Sequence, residues 1–587
     1  MNTSEYIIKK LEELGITDFF GVPGDYNFNI LNAIQSNQKT RFVGCTNELN
    51  ASYAADGYAR EKGYGALITT YGVGELSAIN GIAGSFAENV PVINIVGVPS
   101  TNCLESKSLV HHSLNNSEPK TYENVFKNVT SATAFLNKYN AKIEIDRVLQ
   151  IFIKEKRPVY IAVPVDIAKT IISDREVNYS WVSNLETLDK VTELICEKIN
   201  HSENPVILSD ILIKRFEAQY EFKEFVEKSG IPVTNFVMGK GLVNYDYAKY
   251  LGTYFGKYKN PVAKKYLETT DCLIAVGTIY SDFNSSGFNL PYKINTQIAI
   301  YGTYTYINGT KYDNIKMKDV LDNLIKKIHP KEINFDKPEI GYEKTNKPNG
   351  DLTSDYVYSR IQEFLSENDI VVGETGLAQY GLAQMKLPLN TEIHLQGLWG
   401  SIGWATPATL GICLAEPSRK VILVTGEGAH QMSALEVGNM VKQGVKPVII
   451  VLNNNGYGIE KLLSDSDNSY NEVININYSR FIRSFDGDVW TTKVSTQDDF
   501  DKALRVTQIM DKLCYIEVCL DSNDSPDLGQ MIMSEIKKTA DYNTESIPET
   551  CCAIKAKDIN KILNKEAFVN KDDFDFGTTV HESLKDL

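Results

Sequence analysis

The chemistry in this chain is densest between Val421 and Glu460. One apolar run, Val421–Val424, leads into Gly426-Glu427-Gly428, and a second, Val448–Leu452, leads into Asn453-Asn454-Asn455-Gly456. Two parallel strand ends would set an acid and an amide oxygen side by side, next to backbone amides. A hard divalent cation such as Mg²⁺ takes oxygen ligands and a phosphate, and a helix N-terminus favours that phosphate. A lone Gly-x-Gly turn is most often structural; here the acid, the asparagine run and the two strands give it content. Four other groups look ordinary in isolation. His111-His112 is an adjacent pair among seven histidines, with no acid beside it in sequence to complete a zinc set. Asp25 follows the turn residues Pro23-Gly24. Glu48 reads as an acid favoured by a helix dipole, and Glu460 as a solvated helix acid beside Lys461.

The elements that must hold these groups are short and buried. Glu5–Leu14 places Ile7, Ile8, Leu11 and Leu14 on one helical face, and Gly15 ends it. Apolar runs at Asp18–Val22, Arg41–Gly44, Ala66–Thr70, Val92–Val96 and Val159–Val163 each precede a Gly- or Pro-containing turn and a helical pattern. Such alternation predicts parallel strands buried on both faces. Asp174–Leu188 is polar and irregular and reads as a linker. A second set, from about Val191 to His329, has strands at Val206–Leu208 and Cys272–Val276. Pro330–Asn349 is a further linker, rich in Lys, Pro, Asn and Glu. The third set starts near Asp351 and includes strands at Ile370–Val372, Val421–Val424 and Val448–Leu452. Within it a helix is predicted from about His430 to Lys442, with Met432, Leu435 and Met440 on one side and Gly444 closing it. Beyond about Ser534 the chain turns charged and less periodic. The expected fold class is therefore three consecutive doubly wound α/β domains with parallel sheets.

Gly426-Glu427-Gly428 followed by Asn453-Asn454 resembles the signature of thiamine-diphosphate enzymes, in which Gly-Asp-Gly precedes Asn-Asn. Further segments narrow the resemblance: Gly21-Val-Pro-Gly-Asp25, the stretch from Asn47-Glu48 to Arg60, Thr70-Tyr-Gly-Val-Gly-Glu-Leu-Ser-Ala78, Leu109-Val-His111-His112 and Gly456-Tyr-Gly-Ile-Glu460. In that order they are similar to the pyruvate, indolepyruvate and phenylpyruvate decarboxylase group, from about residue 4 to 530. The resemblance implies a thiamine-diphosphate-binding fold with a pyrimidine-binding domain (1–180), a central domain (190–345), a diphosphate- and Mg²⁺-binding domain (350–540) and a C-terminal extension (541–587). It implies that Glu427, Asn454 and the Gly456 carbonyl hold Mg²⁺. Gly426, Gly428 and Ala429 would lie near the diphosphate. Thr375, Gly400 and Ile402 would contact the cofactor, Ile402 bracing its bent shape, and Ile459 would line the substrate pocket. Glu48 would hydrogen-bond the aminopyrimidine and so promote removal of the thiazolium C2 proton. Asp25, His111, His112 and Glu460 would surround the reacting carbon and manage proton transfers, because imidazoles titrate near neutrality and crowded carboxylates are raised. The resemblance also implies an active site shared between chains, in a homodimer or homotetramer.

Several positions depart from the pattern. Glu427 replaces the family's Asp with a side chain one methylene longer, which bears on Mg²⁺ geometry. Leu377 and Gln379 stand where many pyruvate decarboxylases have small residues, which leans the expected substrate toward aromatic or branched 2-oxo acids, with pyruvate as the alternative. Asn89 and the absence of cysteine from Ser209-Asp-Ile-Leu212 speak against cysteine-mediated substrate activation. A carboligase shares the cofactor motif, but His111-His112 and Glu460 favour decarboxylation. A catalytically impaired thiamine-diphosphate sensor is the reading from another class, favoured only by Glu427 and Leu377.

Composition limits the partners. The 587-residue chain carries a formal net charge of −15, which attracts neither a nucleic-acid backbone nor an anionic membrane. No apolar stretch approaches the roughly 20 residues that span a bilayer, and Met1–Ile8 lacks the basic-then-apolar order of a signal peptide. The nine cysteines form no Cys-x-x-Cys pair. Free thiols in a reducing cytoplasm are the simplest account, with Cys551-Cys552 the one oddity.

Overall fold

The computed structural model describes residues 1–540 apart from 117, 174–176, 178, 289, 291–293, 295–296, 335–336, 345–349 and 465–467. The expected extension, 541–587 with Cys551-Cys552, lies outside the described residues. Strands fall into three sheets. In the first are β1 (Asp18–Gly21), β2 (Arg41–Gly44), β3 (Gly65–Thr70), β4 (Val92–Val98), β5 (Ala132–Phe135) and β6 (Val159–Pro164). The second holds β7 (Pro205–Ser209), β8 (Val233–Asn235), β9 (Tyr250–Thr253), β10 (Cys272–Val276), β11 (Ile298–Ile300), β12 (Tyr304–Ile307) and β13 (Thr310–Asp313). The third comprises β14 (Ile370–Gly373), β15 (Glu392–His394), β16 (Val421–Gly426), β17 (Val448–Asn453), β18 (Val489–Val494) and β19 (Leu513–Cys519).

The first sheet runs β2-β1-β3-β4-β6-β5 and the third β15-β14-β16-β17-β19-β18, the same order offset along the chain. Every strand pair in both is parallel. Their central strands are buried throughout, as continuous apolar runs between helical layers must be. The middle sheet is parallel from β11 through β10, β7 and β8 to β9 and adds two antiparallel strands at one edge. Its order is β13-β12-β11-β10-β7-β8-β9, and β11–β12 and β12–β13 pair antiparallel. Both turns are local: Tyr301 N donates to Tyr304 O between β11 and β12, and Asn308 and Gly309 take positive φ, 51° and 79°, which closes β12 onto β13 in a two-residue turn.

Two expectations are corrected. The polar stretch to Leu188 is not all linker, because a helix starts at Leu185, with the Asn184 side chain accepting from Thr187 N. The helix expected over His430–Lys442 is two, Glu427–Gln431 and Glu436–Gln443. Between them Ser433 donates its hydroxyl to Gly403 O at 2.7 Å, tying the turn to a neighbouring loop. The three residues placed on one helical side part company: Met440 is buried, whereas Met432 and Leu435 are each 58% exposed. Gly444 does close the second helix, at φ 70°.

The first and third sheets share one hydrophobic core. Helices Glu48–Lys62 and Ala405–Ala415 cross so closely that a Cβ on Gly57 would sit 2.2 Å from Ala408 O, and one on Gly411 1.9 Å from Ala54 O. Only glycine permits that approach. Beneath the crossing, Arg60 is paired with Asp56 (2.7 Å) and Glu88 (2.8 Å) and stacks over Trp404. The helix that begins with Glu48 is thereby fixed to the third domain.

Candidate active site

Most groups of chemical interest sit in segments that follow the carboxyl end of a strand, where open α/β sheets bind ligands, although the helix Thr101–Glu105 separates His111-His112 from β4. In the first domain Asp25 follows β1, Glu48 follows β2 and His111-His112 follow β4. In the third, Thr375 follows β14, Gly400 and Ile402 follow β15, Glu427 follows β16, and Asn454 and Gly456 follow β17. Glu460 lies one step further, on the helix Gly458–Ser464. The duplicated topology thus generates two sets of groups on equivalent sheet ends.

The first set is an acid–imidazole cluster. His111 Nε2 lies 2.9 Å from Asp25 Oδ2, and the imidazole stacks on Tyr26 with ring centroids 4.7 Å apart. His111 Nδ1 is 3.3 Å from the Tyr26 hydroxyl, so both nitrogens have partners. His112 stands at φ 69°, uncommon for a non-glycine residue. Its carbonyl accepts from the Tyr122 hydroxyl at 2.6 Å, and a Cβ on Gly72 would lie 2.3 Å from that oxygen. Asp25, which sequence does not set beside the histidines, supplies the acid that adjacency could not: one ligand atom from each of the three lies within 4.8 Å of the others. Asp25 and His111 remain 51% and 56% exposed at their side chains. Glu48 is half-buried, and a Cβ on Gly74 would approach its Oε1 to 3.0 Å. Burial pushes the Glu48 carboxyl up, opposed by its own backbone N–H and the Ser77 hydroxyl.

The second set lines one cleft: Thr375, Leu377, Ile402, Gly426, Glu427, Gly428, Ala429, Asn454, Gly456, Ile459 and Glu460 all border it. Glu427 is 2% exposed and accepts from Gly456 N at 2.7 Å. Burial raises its carboxyl pKa, against the lowering effect of that N–H. The Asn454 amide, nitrogen inward, donates to Gly456 O (2.8 Å) and Glu427 Oε1 (3.2 Å). Turned about, its oxygen faces those two oxygens, and such a cluster calls for a cation. The Thr375 hydroxyl is buried without a partner among the described residues, and its methyl lies 3.8 Å from the Cβ position of Gly400, itself at φ 64°. The donor set therefore fits a cation and a polar ligand together. Gln379 is buried but does not border this cleft. Leu377 does, and it packs toward Gly458 and Gly529.

No hydrogen bond or ion pair among the described residues joins the two sets. Asp25, His111 and His112 gather in one place and Glu427, Asn454, Gly456 and Glu460 in another, although the sequence-based expectation surrounds one reacting carbon with Asp25, both histidines and Glu460.

Comparison with known proteins defines the class. Residues 1–118 match the N-terminal TPP-binding domain of thiamine pyrophosphate enzymes, 192–321 their central domain, and 374–518 their C-terminal TPP-binding domain. The chain belongs to the thiamine pyrophosphate enzyme family, and thiamine pyrophosphate (thiamine diphosphate) is its cofactor. It is 35% identical to pyruvate decarboxylase of Kluyveromyces lactis over 538 residues, which cover 89% of this chain and 96% of that one. It is 33% identical to pyruvate decarboxylase isozyme 2 of Saccharomyces cerevisiae over 559 residues (92% and 99%), and 33% identical to pyruvate decarboxylase of Candida glabrata over 558 (92% and 98%). Within the family it is a thiamine-pyrophosphate-dependent 2-oxo acid decarboxylase, an enzyme acting on a small molecule. No helix among the described residues is long and apolar enough to cross a membrane.

Proposed function

We propose that the chain decarboxylates pyruvate to acetaldehyde and CO₂, with Mg²⁺ and in a homodimer or an assembly of dimers. The observation that carries this reading is the division of the site groups into two sets on topologically equivalent sheet ends. A twofold axis would bring the acid–imidazole set of one chain to the oxygen-lined cleft of its partner, completing two sites at once. The exposed Asp25 and His111 then face the cleft rather than water. Apolar side chains left bare in one chain support the same assembly: Val73, Leu398, Trp399, Met432 and Leu435 are 41–58% exposed. Trp399 Nε1 donates to Asn80 at 2.9 Å, which joins two of these segments into one surface. The seven described cysteines are free, which suits a cytoplasmic setting.

When bound, thiamine pyrophosphate supplies the nucleophilic carbon and the electron sink that make CO₂ loss feasible. Glu427, Asn454 and the Gly456 carbonyl hold the cation that anchors its diphosphate. Gly426, Gly428 and Ala429 leave room for the diphosphate, and the Thr375 hydroxyl donates to the ligand. Glu48, with a carboxyl raised by burial, holds or releases a proton at the pyrimidine side. Asp25 orients the His111 imidazole and His112 lies against it with ring centroids 4.6 Å apart; in the proposed dimer, Glu460 on the cleft of the other chain would face them. These four deliver the proton that replaces CO₂ and clear the aldehyde.

Pyruvate is preferred here over the aromatic or branched acids toward which Leu377 and Gln379 lean the sequence. Leu377 fills cleft volume that a small residue would leave open, Gln379 lies off the cleft, and the related decarboxylases are named for pyruvate. Aldehyde release from pyruvate, a branched 2-oxo acid and phenylpyruvate, each with saturating cofactor and Mg²⁺, tests the ranking. Phenylpyruvate on top would overturn the cleft argument. Cofactor binding without aldehyde from any of them would replace the enzyme by the sensor.

A further inference from the structure

The two histidines of the first set are held in different ways. His111 has a partner at each ring nitrogen, Asp25 at 2.9 Å and the Tyr26 hydroxyl at 3.3 Å. His112 makes no side-chain hydrogen bond among the described residues. Its ring lies only against those of His111 and Tyr26, with centroids 4.6 and 6.3 Å away. An imidazole without hydrogen bonds is aimed by its own backbone and rotamer, and this backbone is unusual. His112 stands at φ 69°, in the left-handed region that a residue with a Cβ occupies at a cost. Such a conformation persists only where the surroundings over-determine it.

The surroundings do so at one atom, the His112 carbonyl oxygen. Tyr122, on the helix Thr121–Phe126, donates its hydroxyl to that oxygen at 2.6 Å and is 2% exposed. Gly72 closes on the same oxygen: a Cβ there would sit 2.3 Å from it and 3.0 Å from the Tyr122 hydroxyl. Gly72 is itself fixed, because its N–H donates to one oxygen of Glu75 while the Tyr160 hydroxyl donates to the other, at 2.8 Å each. The Tyr122 ring packs edge-on against Tyr71 (4.9 Å) and Tyr71 against Tyr26 (6.0 Å), which stacks on His111. One row of tyrosines thus reaches both histidines, and Tyr122 is the member that hydrogen-bonds His112.

We infer that Tyr122 is a positioning residue: its hydroxyl holds the His112 main chain in the left-handed conformation that aims the imidazole for proton transfer. The inference rests on the role proposed above for His112 and adds the group that sets its geometry. Tyr122 is closed off from solvent, so it acts through His112 rather than on the substrate. Tyr122→Phe keeps the ring that packs on Tyr71 and loses only the bond to the carbonyl, leaving the left-handed backbone with the contact of Gly72 alone.

The test is a double-variant cycle on the holoenzyme, read as aldehyde release from its preferred 2-oxo acid. Tyr122→Phe should lower kcat about tenfold, the order expected for one buried hydrogen bond, with KM and cofactor affinity close to parental. His112→Asn removes the imidazole, tolerates positive φ and should lower kcat by about 10²–10⁴. In that background Tyr122→Phe should cost less than about twofold, because the hydroxyl works through a side chain no longer there. The same loss in both backgrounds would show a role independent of His112 and overturn the inference, as would a parental kcat in Tyr122→Phe. A fully active His112→Asn would instead remove the proposed role of His112, and the positioning role with it, so the two failures are told apart. A second measurement needs no turnover. With carbon-13 in the histidine rings, the His112 resonance, assigned by its absence from His112→Asn, should shift in Tyr122→Phe while those of His201 and His329 stay in place. An unmoved His112 resonance in the folded variant would also overturn the inference.

Discussion

If each site is built from two chains, two inactive variants should repair one another. Asp25→Asn removes the acid 2.9 Å from His111 in the first set, and Glu460→Gln removes the acid at the rim of the second. Each leaves the groups that hold the cation and diphosphate untouched, so cofactor affinity should remain near that of the parent. Each should lower turnover by about 10²–10⁴, the usual cost of losing a positioned proton-transfer group. Co-expressed with different tags, the two variants assemble at random, and about half of the dimers are hybrids. In a hybrid, one site combines the altered first set with the altered second set and is dead. The other combines two intact sets. One working site in two, in half of the dimers, predicts about a quarter of parental activity, and about half in hybrids purified through both tags. Aldehyde release against pyruvate is the assay. The same calculation gives no recovery when both sets of one chain serve one site, because every site then retains one lesion. Activity of the purified hybrid no higher than that of the more active variant would refute the shared-site reasoning.

Other outcomes follow from particular contacts. Glu427→Gln keeps a group that can accept from Gly456 N but removes the one negative charge among the three proposed cation ligands; a titration of the apoprotein should show cofactor affinity at fixed Mg²⁺ falling about 10- to 200-fold, corresponding to about 1.5–3 kcal/mol, and an unchanged affinity would remove Glu427 from the metal site. Glu75 is buried, accepts from Gly72 N and the Tyr160 hydroxyl at 2.8 Å each, and is pushed up to about 7 by burial from an ordinary 4.5. Between those values the folded chain holds a proton that the unfolded chain has lost, so stability falls as pH rises through this window, by on the order of 3 kcal/mol. Glu75→Gln should flatten that slope, and denaturant midpoints at about pH 5 and about pH 8 would show it; a slope equal to the parent's would contradict the burial argument. Gly411→Val drives a side chain into Ala54 O and should destabilise by at least about 1–3 kcal/mol, seen as lost soluble protein or a lower unfolding midpoint. A fully stable variant would mean the two helices separate without cost.

The periodicity of the chain determines much of its architecture. Buried apolar runs such as Val92–Val98 and Val448–Asn453 can only be central parallel strands, because a surface strand would alternate. The breaks were less legible. Asn308-Gly309 carried a hairpin signal that the alternating pattern around it masked. The split of the 427–443 segment depends on Ser433 reaching Gly403, a contact between residues distant in sequence. Met432 and Leu435 fall on one predicted helical side with Met440, but hydrophobic periodicity does not reveal that the helix breaks there and leaves both exposed.

The residue types by themselves name the chemistry. An acid between glycines and an asparagine run at a second strand end specify an oxygen-rich cation and phosphate site, because ligand hardness and backbone amides are properties of those residues. Which groups work together was decided only by the tertiary structure. Asp25 meets His111 because β1 and β4 end on the same side of one sheet, and Glu460 does not meet them because it follows the equivalent strand of the other. Sequence order carries no distance between strand ends. Sheet order does, and it separates within one chain groups whose types belong to one reaction.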